Sequence, residues 1–398
     1  SKLIAMGGEA SIYSSSMGKK EIGCITYATI GSIKNIPLKF KEMGFKRIII
    51  DEADRYPRES SGMLRKFLDA AKISWVLGFT ATPLKLQTNT DYFTGLTYSK
   101  MVMLTTRNKT GTFYKDILHI SQIKEMIENE YWSKLIYETF PFDKTKLVYN
   151  TTRAEFTEES LKKTYEDQEI GRKIEEYIAN SDRKSILVAV PSVAEAQRLA
   201  SRVPNSEAVW GTMNKKDRAR IIEDFKCLKI RVIFNVDVLT VGFDHPLLDC
   251  LISGRSTASL TWYYQFLGRI TRIDPDKENG LIVDFAGNVE RFGRIEEFYY
   301  AQEDGIWKLF GENKRLLSGI PIEDIGKYFQ KDEYDLELEK ISSSIQFPFG
   351  KYINRPLSEA PVSYINMLLA DYQFSEKDMY IKEEILRIKS LKKKPNII

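Results

Sequence analysis

Seven short segments of this chain are almost continuously apolar, and each ends in a polar or glycine-bearing turn: 24–28, 47–50, 73–79, 185–190, 230–236, 249–252 and 281–285. A strand with one wet face alternates apolar and polar residues. A run without alternation needs both faces covered, as in a parallel sheet with helices on either side. Helical stretches lie between these runs. The clearest opens at Ser192, where Ser192-Val193-Ala194-Glu195 follows Pro191 and reads as a capping box. Strand and helix alternation of this kind predicts an α/β architecture. Ligands in such sheets collect at the carboxyl ends of the strands, which is where this chain places its unusual residues.

The runs fall into two groups, before about 83 and after about 185, and they predict four regions. Residues 1–83 form a first domain, 84–182 an accessory segment and connector, 183–326 a second domain, and 327–398 a small, mainly helical C-terminal module. The 84–182 stretch is too long for a loop and is rich in aromatics, among them Tyr92, Phe113, Tyr114, Trp132 and Tyr137; its best helix runs over 157–180. No apolar run approaches the ~20 residues that a bilayer span requires. The first residues lack the basic and apolar blocks of a signal peptide. Cys24, Cys227 and Cys250 lie far apart without CxxC spacing, so reduced thiols in a cytoplasmic protein are expected and a zinc site is not. With 59 basic against 55 acidic side chains, the net charge of +4 excludes a diffuse polycation. Any affinity for nucleic acid must come from charge placed locally.

Arg47-Ile48-Ile49-Ile50 runs straight into Asp51-Glu52-Ala53-Asp54. Adjacent acids at the end of a buried strand are costly unless a cation or proton belongs to the design. Phosphoryl transfer supplies one: a carboxylate holds Mg²⁺ on the phosphates and its neighbour activates water. Alone, the pattern is more often a solvated acidic turn. Gly78-Phe79-Thr80-Ala81-Thr82-Pro83 closes the next strand, with hydroxyls able to couple one site to another. Read as a helix at 100° per residue, 260–273 puts Gln265, Arg269 and Arg272 at about 0°, 40° and 340°, one narrow stripe. Gly268 would let that backbone approach a neighbour. The stripe fits a solvated face as well as two guanidiniums aimed at a γ-phosphate. The strand ending near Val236 exits into Thr240, Gly242 and Asp244, a turn that can approach phosphate or ribose. His245 reads as a packed or surface imidazole.

Taken in order, these segments resemble the motif series of superfamily 2 helicases. DEAD at 51–54 resembles motif II, TATP at 80–83 motif III, and ILVAVPS at 186–192 motif IV. NVDVLTVGFDHP at 235–246 resembles motif V and QFLGRITR at 265–272 motif VI. Ile25-Thr26-Tyr27-Ala28-Thr29-Ile30 is similar to the Ib segment, which touches the nucleic-acid backbone. Thr80-Ala81-Thr82 and Gln265-Phe266-Leu267-Gly268-Arg269 differ from the SAT and HRxGR of RNA-remodelling DEAD-box proteins. The LTVGFDHP and VDFAGNV phrases look most like the RadD and phage UvsW-type helicases, which remodel branched DNA.

The resemblance implies two RecA-like parallel-sheet domains in tandem, closing on ATP and Mg²⁺ with DNA across both. Asp51 would hold Mg²⁺ and Glu52 would activate water. Arg269, Arg272 and Gln265 would serve the γ-phosphate, Gly242 and Asp244 the nucleotide, and Thr80 and Thr82 the coupling of hydrolysis to domain closure. Thr26, Thr29 and the basic strip 215–220 are the nucleic-acid candidates. The resemblance further implies a P-loop, G-x-x-x-x-G-K-[ST], which this sequence lacks; the nearest string, Gly18-Lys19-Lys20, has Lys20 where the hydroxyl belongs. A gene product extending upstream is therefore expected, with the apolar face of the first sheet left uncovered here. The rival readings are a helicase-shaped DNA-binding module without hydrolysis, a restriction-type duplex translocase and an RNA helicase.

Overall fold

The computed structural model describes residues 6–56, 62–90, 95–106, 114–238, 243–326, 346–348, 350, 353–354, 367–370, 372–375 and 377–392. Backbone contacts divide the chain into two compact units, 1–326 and 327–398.

The centre of the larger unit is a six-stranded, wholly parallel sheet. Its strands lie in the order Ser206–Trp210, Val232–Val236, Ile186–Ala189, Cys250–Ser253, Gly280–Asp284 and Leu135–Thr139. Alternate residues face two separate cores. Ile186, Val188, Val232, Phe234, Cys250 and Ile252 pack with Ile174, Ile178, Ala196 and Leu199 from the helices Ile170–Asn180 and Val193–Arg202. Leu187, Ala189, Ile233, Leu251 and Ile282 pack with Phe225, Tyr263 and Phe266 from Lys215–Lys226 and Leu260–Leu267. Burying both faces removes the polar residue from every second position, which accounts for the uninterrupted apolar runs. The α/β class expected from the sequence is the class observed. At roughly 1.5–3 kcal/mol for each fully buried aliphatic side chain, these two faces outweigh any local preference in holding the sheet together.

Two boundaries differ from the sequence reading. The strand Leu135–Thr139 lies inside 84–182, the stretch assigned to an accessory segment and connector, yet it forms an edge of the main sheet. It is half exposed, with Ile136, Glu138 and Thr139 toward solvent while Leu135 and Tyr137 pack on the core, so no long apolar run announced it. The helix expected over 157–180 is two, Glu158–Asp167 and Ile170–Asn180, broken at Glu169 with φ 52°. The capping box is half made: Ser192 accepts from Glu195 N at 3.2 Å, while the Glu195 carboxylate pairs with Arg198 instead.

The described residues between 6 and 83 build a smaller lobe of the same unit. It holds a three-stranded sheet of Lys19–Lys20, Ser11–Ser14 and Thr26–Ala28, and a parallel pair, Arg47–Ile50 with Trp75–Gly78. Ile48 and Val76 pack against Phe40, Phe67 and Leu68. The other face of the pair is open, with Ile49 64% and Trp75 45% exposed. An antiparallel hairpin, Leu84–Thr90 with Thr97–Met103, joins this lobe to the rest. In the unit 327–398, the described part includes the helix Met379–Lys392, with Phe347, Leu368, Ile381 and Ile385 buried. No helix among the described residues is long and apolar enough to cross a membrane.

Candidate functional site: an acid string facing an arginine turn

The strand Arg47–Ile50 ends at Asp51 and the chain reverses at once. Phe79 N donates to Ile50 O at 2.8 Å and Ala53 N to Phe79 O at 2.9 Å, stitching the acid string to the exit of the neighbouring strand. The reversal puts Glu52 in the left-handed region, φ 51° and ψ 52°. A non-glycine residue is held there only when its surroundings over-determine it. Gly78 supplies the room: an added Cβ would lie 2.8 Å from Ala53 Cβ and 2.7 Å from Tyr114 Cε1. Asp51 is exposed and accepts from Glu52 N at 3.0 Å; Glu52 is half-buried.

The third acid, Asp54, is the hub of the arrangement. Thr80 Oγ1 donates to Asp54 Oδ1 at 2.5 Å and Thr82 Oγ1 to Oδ2 at 3.1 Å. Thr82 N donates to Thr80 Oγ1 at 3.0 Å, closing the turn on itself. Gln265 Nε2 reaches both Asp54 Oδ2 and Thr82 Oγ1 at 3.5 Å. That is the long limit of hydrogen bonding, so the bridge is weak and easily released. Burial, with the Asp54 charge added, pushes the Tyr114 phenol up to about 12, and it stays neutral beside the carboxylate.

Opposite lies the end of the helix Leu260–Leu267, capped by Ser259 Oγ accepting from Trp262 N at 3.2 Å. The sequence reading carried this helix to 273, with Gln265, Arg269 and Arg272 in one stripe. Gly268 N still bonds Tyr264 O, but Arg269 N bonds Phe266 O and Ile270 N bonds Leu267 O. The ladder tightens from i−4 to i−3, and the stripe dissolves into a turn. Gly268 makes no close approach either: an added Cβ would meet only the carbonyls of its own helix, Tyr264 O at 3.2 Å and Gln265 O at 3.6 Å.

The two arginines nonetheless face one loop. Arg269 Nη1 donates to Phe243 O at 2.9 Å, and Arg272 Nε pairs with Asp244 Oδ1 at 3.0 Å. Burial pulls Arg269 below the usual guanidinium value, the Glu52 charge opposes the pull, and Arg272 adds to it. The acid string and the arginine turn therefore lie within each other's field. Arg272 and Asp244 are 52% and 66% exposed, and an exposed pair of this kind is worth at most about 1 kcal/mol.

The remaining expectations divide. Gly242, with Thr240, lies outside the described residues. Thr26 Oγ1 is spent on Gly23 O at 2.9 Å, and Thr29 Oγ1 sits 2.9 Å from Ser32 Oγ. The structure brings neither threonine to the acid string. In the basic strip, Arg218 bonds Gly211 O and Arg220 pairs with Asp224 on the outer face of the helix Lys215–Lys226. The hub role of Asp54 was missed, because its partners lie 26, 28 and 211 residues away and no local pattern reports them.

His245 is packed, as the sequence allowed: it is 2% exposed, 2.9 Å from Ser185 Oγ, against Phe225 and Phe243. Burial, reinforced by Lys226 and Lys277, lowers its pKa to about 4. Between about pH 6.5 and 4 the unfolded chain binds a proton here that the folded chain does not. Stability should fall by about 3 kcal/mol as pH drops through that window. Urea midpoints at pH 7 and pH 4 check this. His245→Gln should show a correspondingly smaller fall, and equal falls in both proteins would remove the assignment.

A family model described as "Helicase conserved C-terminal domain" matches residues 169–274. The match covers the Ile186–Ala189 strand, motif V and the arginine turn. The chain is 27% identical over 280 residues to irc3 of Schizosaccharomyces pombe, named as a candidate mitochondrial ATP-dependent helicase; the alignment covers 67% of this chain and 42% of that protein. It is 32% identical over 83 residues to IRC3 of Saccharomyces cerevisiae, named as a candidate ATP-dependent helicase, covering 21% of this chain and 12% of that protein. Among solved structures, a fragment of a candidate HsdR subunit of a type I restriction enzyme from Vibrio vulnificus aligns at TM-score 0.48 and 18% identity, covering 66% of this chain and 48% of the other. The chain thus spans less than half the length of these curated relatives. It is similar over 169–274 to a helicase C-terminal domain, and over 280 and 83 residues to proteins named as candidate ATP-dependent helicases.

Proposed function

We propose that the protein is an ATP-dependent DNA helicase or translocase that remodels branched or forked DNA in repair, recombination or replication. The observation that carries this reading is the bridge from Gln265 to Asp54 and Thr82, groups of one lobe against the acid string of the other, with Arg269 within the field of Glu52. A solvated acidic turn would need no such counterpart. The LTVGFDHP and VDFAGNV phrases at 239–246 and 283–289 support the branched-DNA preference.

The residues suit a nucleoside triphosphate that brings its own metal. Among the described residues, no group of three or more His, Cys, Asp and Glu side chains could hold a metal ion unaided. Mg²⁺ at phosphoryl-transfer sites typically takes one or two carboxylates and completes its shell with phosphate oxygens and water. Asp51, exposed at the strand exit, would be that carboxylate. Bound Mg²⁺ would neutralise charge on the phosphates. Glu52, held at a fixed angle by its left-handed backbone, would take the proton of the attacking water. Arg269 and Arg272 would reach the γ-phosphate, and Gly242 and Asp244 would border the nucleotide. Thr80 and Thr82, bonded through Asp54 to Gln265, would report nucleotide state between the lobes, since a 3.5 Å bridge can open and close at little cost. Contacts to DNA would be chiefly to phosphates, hence indifferent to sequence and sensitive to salt. Thr26 and Thr29 remain the candidates for those contacts.

ATP hydrolysis by the full-length gene product, with single-stranded, forked and duplex DNA and with RNA, tests the reading. Stimulation greatest with forked or single-stranded DNA is the expected result. Stimulation by duplex alone would favour a restriction-type translocase, and stimulation by RNA alone an RNA helicase. Tight DNA binding without turnover would leave a binding module and overturn the proposal.

A further inference from the structure

Lys277 is an unusual residue for its place. It is 8% exposed, and its ammonium donates not to an acid but to two backbone carbonyls, Ile270 O and, at 2.7 Å, Arg272 O. Burial lowers its pKa to about 8, with Asp249 and Asp274 opposing the shift and Arg183 adding to it. Burying a lysine is costly unless its protons find acceptors, and here both acceptors are carbonyls of the turn that bears the arginines. A second grip comes from the other side. Ser133 Oγ donates to Arg272 O at 2.6 Å and Ser133 N to Thr271 O at 2.8 Å. A third is steric: a Cβ at Gly280 would lie 2.8 Å from Ile270 Cγ1, so the strand Gly280–Asp284 starts directly against the turn.

These contacts answer a question that the lost stripe raises. Past Gly268 the helix holds the chain only through the i−3 bonds of Arg269 and Ile270 and the Thr271 hydroxyl, which leaves the far end of the turn to contacts from outside. The carbonyls of that turn are orphans of a helix C-terminus, and a side chain able to bond two at once fixes the turn's orientation. We propose that Lys277, assisted by Ser133, is a positioning clamp that sets the arginine turn so that Arg269 faces the Phe243 carbonyl and Arg272 faces Asp244. The inference rests on the helicase reading for its purpose, though the clamp itself is a property of the fold. It adds two residues outside the motif series, which act through the carbonyls of the turn.

Lys277→Met keeps the length and apolar stem and removes the donors; Ser133→Ala removes the second grip at smaller cost. The clamp predicts amide exchange in 268–273 at least about ten-fold faster in Lys277→Met, with the strand Gly280–Asp284 unchanged. ATP turnover should fall about 10–100-fold, the effect of displacing a catalytic group by about 1 Å, while the KM for ATP stays within about two-fold. In combination with Arg269→Ala the losses should be less than multiplicative, since part of what Lys277→Met removes is the placement of the arginine already missing. A purely structural lysine would instead lower Tm and raise exchange across the whole sheet, leaving the KM-to-kcat balance unchanged and adding its cost to that of Arg269→Ala. Unchanged exchange in 268–273 for both variants overturns the clamp. Absence of nucleic-acid-stimulated turnover in the unaltered protein would overturn the helicase reading instead, with the exchange data still deciding the clamp.

Discussion

Glu52→Gln should reduce ATP turnover by about 10²–10⁴-fold, the contribution of a positioned general base, and leave DNA affinity within about two-fold. Glutamine has the shape of glutamate and can occupy the same left-handed position, so the stitch of Ala53 N to Phe79 O should survive. What disappears is the ability to accept a proton. The change also removes the charge that opposes the desolvation of Arg269, but a guanidinium stays protonated regardless, so the opposite wall of the site should persist. Single-turnover hydrolysis with and without DNA, alongside a DNA titration, checks both halves. Substantial residual turnover would refute the base assignment. A parallel loss of DNA binding would mean that Glu52 acts through the fold.

Removing an arginine should cost as much. Where measured, a guanidinium on the γ-phosphate is worth about 10³–10⁵ in rate, and Arg269→Ala should approach the lower end of that range with little change in ATP affinity. Arg269 is half-buried and already within the field of Glu52, so it needs little rearrangement to act. Arg272 must first leave Asp244, but that exposed pair holds it by at most about 1 kcal/mol. Arg272→Ala should therefore also slow hydrolysis far more than it weakens nucleotide binding. Stopped-flow hydrolysis and equilibrium binding of a non-hydrolysable analogue separate the two effects. A defect confined to binding would move either arginine out of the catalytic role.

The parts of the fold that could be read from the chain are those that physics writes locally. Strands buried on both faces must be apolar at every position, so the runs at 186–189, 232–236 and 250–253 were visible as strands within a residue or two. The edge strand Leu135–Thr139 was not, because half of it faces water and its residues look like any loop. The helix opening at Ser192 was visible from its cap, but the end of the helix Leu260–Leu267 was not. Periodicity carried it onward past the point where Phe266 O and Leu267 O take i−3 bonds.

The candidate site divides along the same line. The residue types came from the sequence by itself: Asp51, Glu52, Thr80, Thr82, Gln265, Arg269 and Arg272 sit at strand and helix ends, where short-range patterns end and polar groups accumulate. Their pairing was decided by the tertiary structure alone. Asp54 became a hub through partners up to 211 residues away, and Lys277 and Ser133 became a clamp through carbonyls, which have no sequence signature because every residue owns one. Side-chain identity is a property of position in the chain, whereas a hydrogen bond depends on where two distant segments are brought to rest. That placement was set by the packed faces of the six-stranded sheet on one side and by the smaller core under the Arg47–Ile50 and Trp75–Gly78 pair on the other.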